Sequence, residues 1–422
     1  MDNLPDRSTH PAAATTATLP IHQDPHIRRL LVVGLLGNLI RWLEILAFGV
    51  FTYQQTGSAF WVASMTMSRM VPMGLFGVAF GALAARISRR LGLLVIQGAL
   101  LATTLALLFM SEAGALEVWH LAVASFVNGV AWAGDNPLRR GLIGDIAGGL
   151  RMPRAMALDV IGASACRLAG PALGGMLLAW GGMQAVLLVT AALHLAGFFA
   201  MLGLAKAPAW RKGPKSAVWS ILAGGFQAAR ASRRLAATLC ITLIFNIFGW
   251  PALSMVPVIG QERLALSAQG IGVLASMDGA GSLLGAGLLM ALAHRLSHGH
   301  VFAGGLALFL AMLPVVALSV HPVLTGAALM VLGVGQSGFS VMQATLVFAA
   351  APADRRMEAM GILTMCIGTA PLGFLATGWL AGRFGAPAAM VACAACGLLC
   401  LLATWPLWRA CLREAPDAPG RS

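Results

Sequence analysis

The stretch Ala82-Leu83-Ala84-Ala85-Arg86-Ile87-Ser88 ends one apolar run and leads into the next. Roughly two hundred residues later, Ala291-Leu292-Ala293-His294-Arg295-Leu296-Ser297 stands in the same position between two other apolar runs. Two further matches follow in the same order. Arg139-Arg140 is answered by Arg355-Arg356, and Pro171-Ala172-Leu173-Gly174 has a weaker echo in Pro371-Leu372-Gly373. Repeated short signals at a near-constant offset mark a duplicated chain. Duplicated six-helix halves around a central site are the architecture of many secondary transporters.

Working outward from these loops, twelve apolar spans can be placed at 30–53, 59–83, 91–111, 118–143, 155–180, 183–204, 235–260, 268–293, 301–320, 323–349, 358–381 and 386–408. Each is near the length that crosses a bilayer as a helix. Of the 28 Lys and Arg, only Arg263 and Arg383 fall on the outer side, and Arg41, Arg69 and Arg167 lie within spans. All the others fall on the side of the N-terminus. Basic loops stay cytoplasmic during insertion, so both ends of the chain are placed inside. The fold class is therefore an all-α membrane protein with twelve transmembrane helices in two pseudo-symmetric six-helix halves.

The division along the chain is 1–29 as a disordered cytoplasmic tail, 30–204 as the first half, 205–234 as a basic cytoplasmic linker, 235–408 as the second half and 409–422 as a cytoplasmic tail. Residues 1–29 lack the short apolar core and cleavage site of a signal peptide. In the linker, Val218, Trp219, Leu222, Phe226 and Ala229 recur at helical spacing, which predicts an amphipathic helix on the inner membrane surface.

A chain that is 59% apolar and 10% charged, with mean hydropathy +0.82, does not present a soluble surface. Its pI near 10.8 suits loops facing anionic headgroups. No basic stretch is interleaved with stacking aromatics, so nucleic acid is not an expected partner. The 50 glycines suit close helix packing in lipid. All seven cysteines (Cys166, Cys240, Cys366, Cys393, Cys396, Cys400 and Cys411) lie in or at the ends of spans. Cys393 and Cys396 have CxxC spacing without a His or acidic companion, which reads as packing, not as metal or redox chemistry.

At the first of these loops the sequence resembles the major facilitator superfamily. Gly81 through Arg90, with Arg86, Arg89 and Arg90, looks like that family's gating loop between helices 2 and 3. Ala85 stands where the family usually has an acid, and Ser88 where it often has Gly. Gly170-Pro171-Ala172-Leu173-Gly174-Gly175 looks like the signature of its proton-coupled exporters, with Cys166 in place of the Gly normally found four residues earlier. Thr56-Gly57-Ser58, Asp135 through Arg140, the run from Ala155 through Arg167 to Gly175, and Pro371-Leu372-Gly373 resemble the macrolide-efflux and enterobactin-export type. The resemblance implies the major facilitator fold, two rocking halves and export of a drug or a siderophore-like metabolite by proton antiport. It also implies a monomer in a bacterial inner membrane.

Ionisable groups in hydrocarbon are costly unless paired or hydrated, so each is a functional candidate. Glu44 lies roughly 14 Å and Arg69 about 15 Å from the outer surface at 1.5 Å per residue, so the two can pair. Arg41 is one turn from Glu44, and Arg167 and Asp278 also fall near the midplane. Glu44 is the first choice for the proton-coupling acid; a static ion pair with Arg41 or Arg69 is the alternative. If Glu44, Arg41, Arg69, Arg167 and Asp278 line one cavity, it is positive or neutral and favours anionic or polar neutral substrates. Arg167 is expected to reach Asp135, Glu44 or substrate. Asp278 either contacts substrate or bonds to a neighbouring helix.

Asp135, Arg139, Arg140, Asp145 and Asp159 read as an inner-gate charge network. His194 is either a proton relay or a satisfied core histidine. Asn38, Asn246, Gln336 and Gln343 could hydrogen-bond a polar substrate, while Trp42, Trp132, Phe245 and Trp250 could stack on it. Trp61, Trp119, Trp405 and Trp408, near span ends, read as interfacial anchors. No Gly-rich phosphate loop with a Lys is present, so the proton gradient and not ATP is the expected energy source, with no cofactor. No nucleophile–base pair or metal set appears; His294, His298 and His300 share a loop without an acidic companion, so an enzyme is not expected. The expected partners are a small-molecule substrate and the lipid bilayer.

Overall fold

Asp24 opens the first helix: its side chain accepts hydrogen bonds from the backbone N–H groups of His26 and Ile27, and Pro25 occupies the first turn. The computed structural model describes residues 24–84, 87–204, 218–292, 297–351 and 355–413. Helix α1 spans Pro25–Thr56 and ends at Gly57, whose φ of 61° suits a left-handed cap. Helices α2 (Ala59–Ala84) and α3 (Arg89–Glu112) follow.

The segment Val118–Leu202 is helical almost throughout but breaks twice. Gly148 has φ 67° and Gly182 has φ 64°, conformations that only glycine adopts readily. They divide it into α4 (118–147), α5 (149–180) and α6 (183–202). The linker helix α7 spans Val218–Ala231. The second half comprises α8 (Arg233–Glu262), α9 (Ala268–Leu292), α10 (His298–Leu318), α11 (Pro322–Ala350), α12 (Arg356–Ile367 and Ala370–Phe384) and α13 (Ala386–Ala403). The last predicted span is shorter than expected. It ends at Thr404, and Trp405–Arg413 forms a separate helix, α14, with Trp405 and Trp408 in edge-to-face contact.

Nine helical segments among the described residues are long and apolar enough to cross a membrane, and one of them, Arg151–Leu202, contains both α5 and α6. With α2 and α4 packed among them, the twelve spans are complete. Large apolar side chains such as Phe109, Trp180 and Met290 remain exposed, as a lipid-facing surface requires.

The two halves are built alike. In the first, α5 lies so close to α1 that a Cβ on Gly174 would sit 2.6 Å from the Leu43 carbonyl oxygen. In the second, α12 approaches α8 in the same way, and a Cβ on Gly373 would lie 2.6 Å from the Pro251 ring. The Pro171 and Pro371 echo therefore marks equivalent contacts. The linker helix does not lie free on the membrane. Gly224 and Gly225 pack against Glu358 and Ile362 of α12, Ala228 is buried, and Phe226 is turned outward.

Two seams join the halves. On one, Gly175 of α5 meets Gly272 of α9, with a Cβ on Gly175 falling 2.9 Å from the Gly272 Cα. On the other, Gly378 of α12 meets Ala63 of α2 at 2.8 Å. Both of these contacts lie on the side of the bundle where α1 ends. There the Tyr53 hydroxyl of α1 donates to the Glu262 carboxylate of α8. Further in, Leu158, Val160 and Ile161 of α5 and Leu284 and Leu288 of α9 are exposed. The α2–α12 seam continues toward the opposite side, where a Cβ on Gly74 would sit 2.6 Å from the Gly368 carbonyl oxygen and one on Gly77 3.2 Å from the Thr364 methyl.

Candidate functional site

Beneath the Tyr53–Glu262 contact a cavity lies between the halves. Trp42, Ile45, Leu46 and Gly49 of α1 line one wall. Their spacing is the i, i+3, i+4, i+7 stripe of one helix face. Val62 and Thr66 of α2, Arg167 and Pro171 of α5, and Phe374 of α12 continue it. The facing wall comes from α8, through Trp250, Leu253, Ser254 and Pro257, and from Asp278 of α9.

Helix α8 reaches this wall by departing from α-helical geometry. Phe245–Gly249 is a π-helical turn and Trp250–Met255 a 3₁₀ stretch, before α-helix resumes at Val256. Pro251 and Pro257 remove two helix hydrogen bonds and bring about this rewinding. Irregular backbone at membrane depth is tolerated where it lines a cavity. The ring of Trp250 then meets Phe374 edge to face, at 5.9 Å between centroids. Across the pseudo-symmetry, the Arg167 guanidinium lies over the Trp42 ring at 4.9 Å.

Arg167 also bridges the halves. Its Nε and Nη2 both donate to Oδ2 of Asp278, at 3.0 and 2.6 Å, and Nη2 donates to Oε1 of Gln336 on α11. Asp278 is buried, and its second oxygen, Oδ1, has no hydrogen-bond partner among the described residues. The partner of Arg167 is thus Asp278, and neither Asp135 nor Glu44. Asp278 in turn is bonded to a neighbouring helix and also faces the cavity.

The Glu44–Arg69 pair forms as the equal depths predicted, at 3.0 Å. Both side chains are almost fully buried inside the first half and line neither cavity described here. Residues 41 and 44 lie about 100° around the helix from their neighbours 42 and 45, so the cavity receives the apolar stripe and the bundle interior receives the charges. The condition of five ionisable groups lining one cavity is therefore not met. One Arg and one Asp line the central cavity, and it is formally neutral.

Arg41 faces a second, internal cavity of about 480 Å³ among α1, α3, α4 and α6. It donates to Asn38 Oδ1 at 2.9 Å and lies 4.3 Å over the Trp132 ring. Asp135, Asn128, Gln97 and His194 also line this chamber. Gln97 Nε2 donates to the His194 carbonyl oxygen at 3.0 Å, which orients the amide. The same nitrogen lies 3.1 Å from His194 Nδ1, so Nδ1 accepts and the ring is the neutral Nε2–H tautomer. His194 is half satisfied: its buried Nε2 has no partner among the described residues.

The predicted network of Asp135, Arg139, Arg140, Asp145 and Asp159 forms inside the first half. Arg139 binds Asp135 at 3.1 Å and also Asp159, and Arg140 reaches Asp159 at 3.4 Å. Asp145 pairs with Arg89 of the loop. These contacts fasten α3, α4 and α5 to one another and do not cross between the halves. Arg90 donates to the Leu202 carbonyl at 2.9 Å. Gly81 falls in the last turn of α2; Ala85 and Arg86 lie outside the described residues. Within the exporter signature, Gly170 and Gly174 face α1, Pro171 lines the cavity and Gly175 forms the seam with α9.

Asn246 and Gln343 are engaged locally, Asn246 with the Thr242 carbonyl and Gln343 with the Thr242 hydroxyl. Phe245 stacks on Phe339 inside the second half. No group of three or more His, Cys, Asp and Glu suited to a metal ion occurs among the described residues. Sequence reasoning missed the Tyr53–Glu262 closure. A signal was available: Tyr53 is the only tyrosine in the chain, set at the outer end of α1.

Solved structures share this architecture. A point mutant of the nucleoside transporter NupG superposes with TM-score 0.73 at 14% identity, covering 90% of this chain and 99% of that one. A bacterial homologue of the human lysosomal transporter Spinster, inward-facing and unoccupied, gives 0.72 at 15% identity over 94% and 100%. The human organic anion transporter MFSD10 (TETRAN) gives 0.65 at 13% identity over 92% and 100%. These likenesses show the fold. No match was found among curated proteins. The family model of transmembrane secretion effectors matches residues 15–418, nearly the whole chain, and the protein therefore belongs to this family of the major facilitator superfamily.

Proposed function

We propose that this transporter exports a small amphipathic molecule, a siderophore-like metabolite or a drug, from the cytoplasm in exchange for protons. The observation that carries the reading is the central cavity: aromatic and aliphatic walls with one neutralised Arg167–Asp278 pair. Such a site suits an apolar body with a polar group. The family description and the Gly170-Pro171 signature support the outward direction.

Substrate and proton are handled at separate places. Asp278 and Arg167 face the substrate, while Glu44 takes the proton. A carboxylate in a dry bundle is tolerated either ion-paired or neutral, and Glu44 can exchange Arg69 for a proton as the halves rock. The protein resides in a bacterial inner membrane, with both termini cytoplasmic.

The test compares metabolites inside and outside cells of a deletion strain and its complemented parent, in iron-replete and iron-starved growth. An iron-chelating product retained inside the deletion strain identifies a siderophore exporter. Sensitivity to added drugs with nothing retained identifies drug efflux. The alternative is an importer driven by proton symport, and loss of uptake in the deletion strain would establish it.

A further inference from the structure

Asp278 has one bonded oxygen and one without a partner among the described residues. Oδ2 receives both Arg167 bonds, whereas Oδ1 is buried, unpartnered among the described residues and borne by a residue on the cavity wall. A carboxylate oxygen accepts hydrogen bonds and never donates them. Leaving a buried acceptor unmet is costly, so a molecule that brings a donor to Oδ1 gains more there than on any apolar wall. The charge is already balanced: Arg167 neutralises Asp278, and Trp42, Trp250, Leu253 and Phe374 supply no counter-charge. A cation at Oδ1 would leave the cavity with one uncompensated positive charge, and an anion would meet the carboxylate.

Resting on the reading of this cavity as the substrate site, we infer that the substrate is an uncharged molecule that places a hydroxyl or amide N–H donor on Asp278 Oδ1, with its apolar body between Trp42 and Trp250. The specificity of the site is for a donor over the same group capped by methyl. Asp278→Asn provides a sharp inversion. The amide oxygen of the new side chain must face the two Arg167 donors, which puts its NH₂ where Oδ1 stood. An acceptor becomes a donor.

The experiment uses purified full-length protein in lipid nanodiscs, with 7-hydroxy-4-methylcoumarin and its 7-methoxy analogue as probes, at a pH where the phenol is neutral. Saturable energy transfer from tryptophan to coumarin reports binding, against empty nanodiscs. The wild type should bind the hydroxy probe roughly ten-fold more tightly than the methoxy probe, the scale of one hydrogen bond to a charged group. Asp278→Asn should cancel or reverse that ratio. Equal binding of the two probes by the wild type would overturn the inference alone and leave the cavity as a binding site. An unchanged ratio in a folded Asp278→Asn protein would also overturn it. Saturable transfer to neither probe would overturn the reading of the cavity itself, and this inference with it.

Discussion

Arg167 and Asp278 form the ion pair that joins the two six-helix halves among the described residues, and they do so through a single carboxylate oxygen. The other described ion pairs, from Glu44–Arg69 to Arg151–Asp24, stay within the first half. One half therefore carries its own internal charge framework, and the charge pairing between halves is one pair backed by Gln336.

Removing one partner strands the other. Arg167→Gln should lower stability by about 3 kcal/mol, because an uncompensated buried carboxylate remains. The double variant Arg167→Gln, Asp278→Asn should recover much of that loss, since both charges are gone. Thermal unfolding of the four proteins in detergent measures the coupling. A double-variant loss equal to the sum of the two single losses would show that the charges act independently.

Glu44→Gln separates coupling from binding. Glutamine keeps the shape and an acceptor for Arg69 but takes up no proton. Transport driven by a pH gradient should vanish, while substrate exchange at equal pH and binding in the cavity persist. Flux assays in proteoliposomes decide, and a wild-type pH dependence in the variant would remove Glu44 from the mechanism.

Tyr53→Phe deletes the hydroxyl that reaches Glu262 at the outer closure. One hydrogen bond contributes about 1 kcal/mol, so the balance should move roughly five-fold toward the outward-open state. Spin labels at the outer ends of α1 and α8 report that population by their distance distribution. An unchanged distribution would show that the glycine seams alone keep the outer side shut.

Gly175→Val wedges the seam itself. Its Cβ would fall 2.9 Å from the Gly272 Cα and against the Ala268 carbonyl, and backbone cannot move aside as a flexible side chain can. The outer halves of α5 and α9 should be held apart. Labelling of a cysteine introduced at the outer end of the cavity should speed up, and transport should stop for lack of the inward-open state.

Much of this was legible in one dimension. Charge asymmetry placed the spans, and counting residues from the span ends brought Glu44 level with Arg69. The Arg167–Asp278 pair was not legible, because the two residues belong to different halves and nothing along either helix records how the halves abut. The inner charges were legible as one network but not which helices they fasten, because helix ends of equal depth can join helices of one half as easily as two halves. The fate of Arg41 and Glu44 was readable in principle, since the Trp42, Ile45, Leu46, Gly49 stripe already turned them away from the cavity. In α8, hydropathy registered an ordinary span across Pro251 and Pro257, and the rewound turns appear only when the backbone is followed.

The seams between the halves are small residue laid on small residue, with Gly175 on Gly272 and Gly378 on Ala63. Such surfaces fit by shape alone and share no side chain with Trp42, Leu253 or Phe374, which shape the cargo space. Machinery and cargo preference are thus inherited separately. A lineage can exchange one transported molecule for another by substitutions in the cavity wall while the sliding parts pass on unaltered. Related chains with unlike cargoes should therefore agree best where nothing binds.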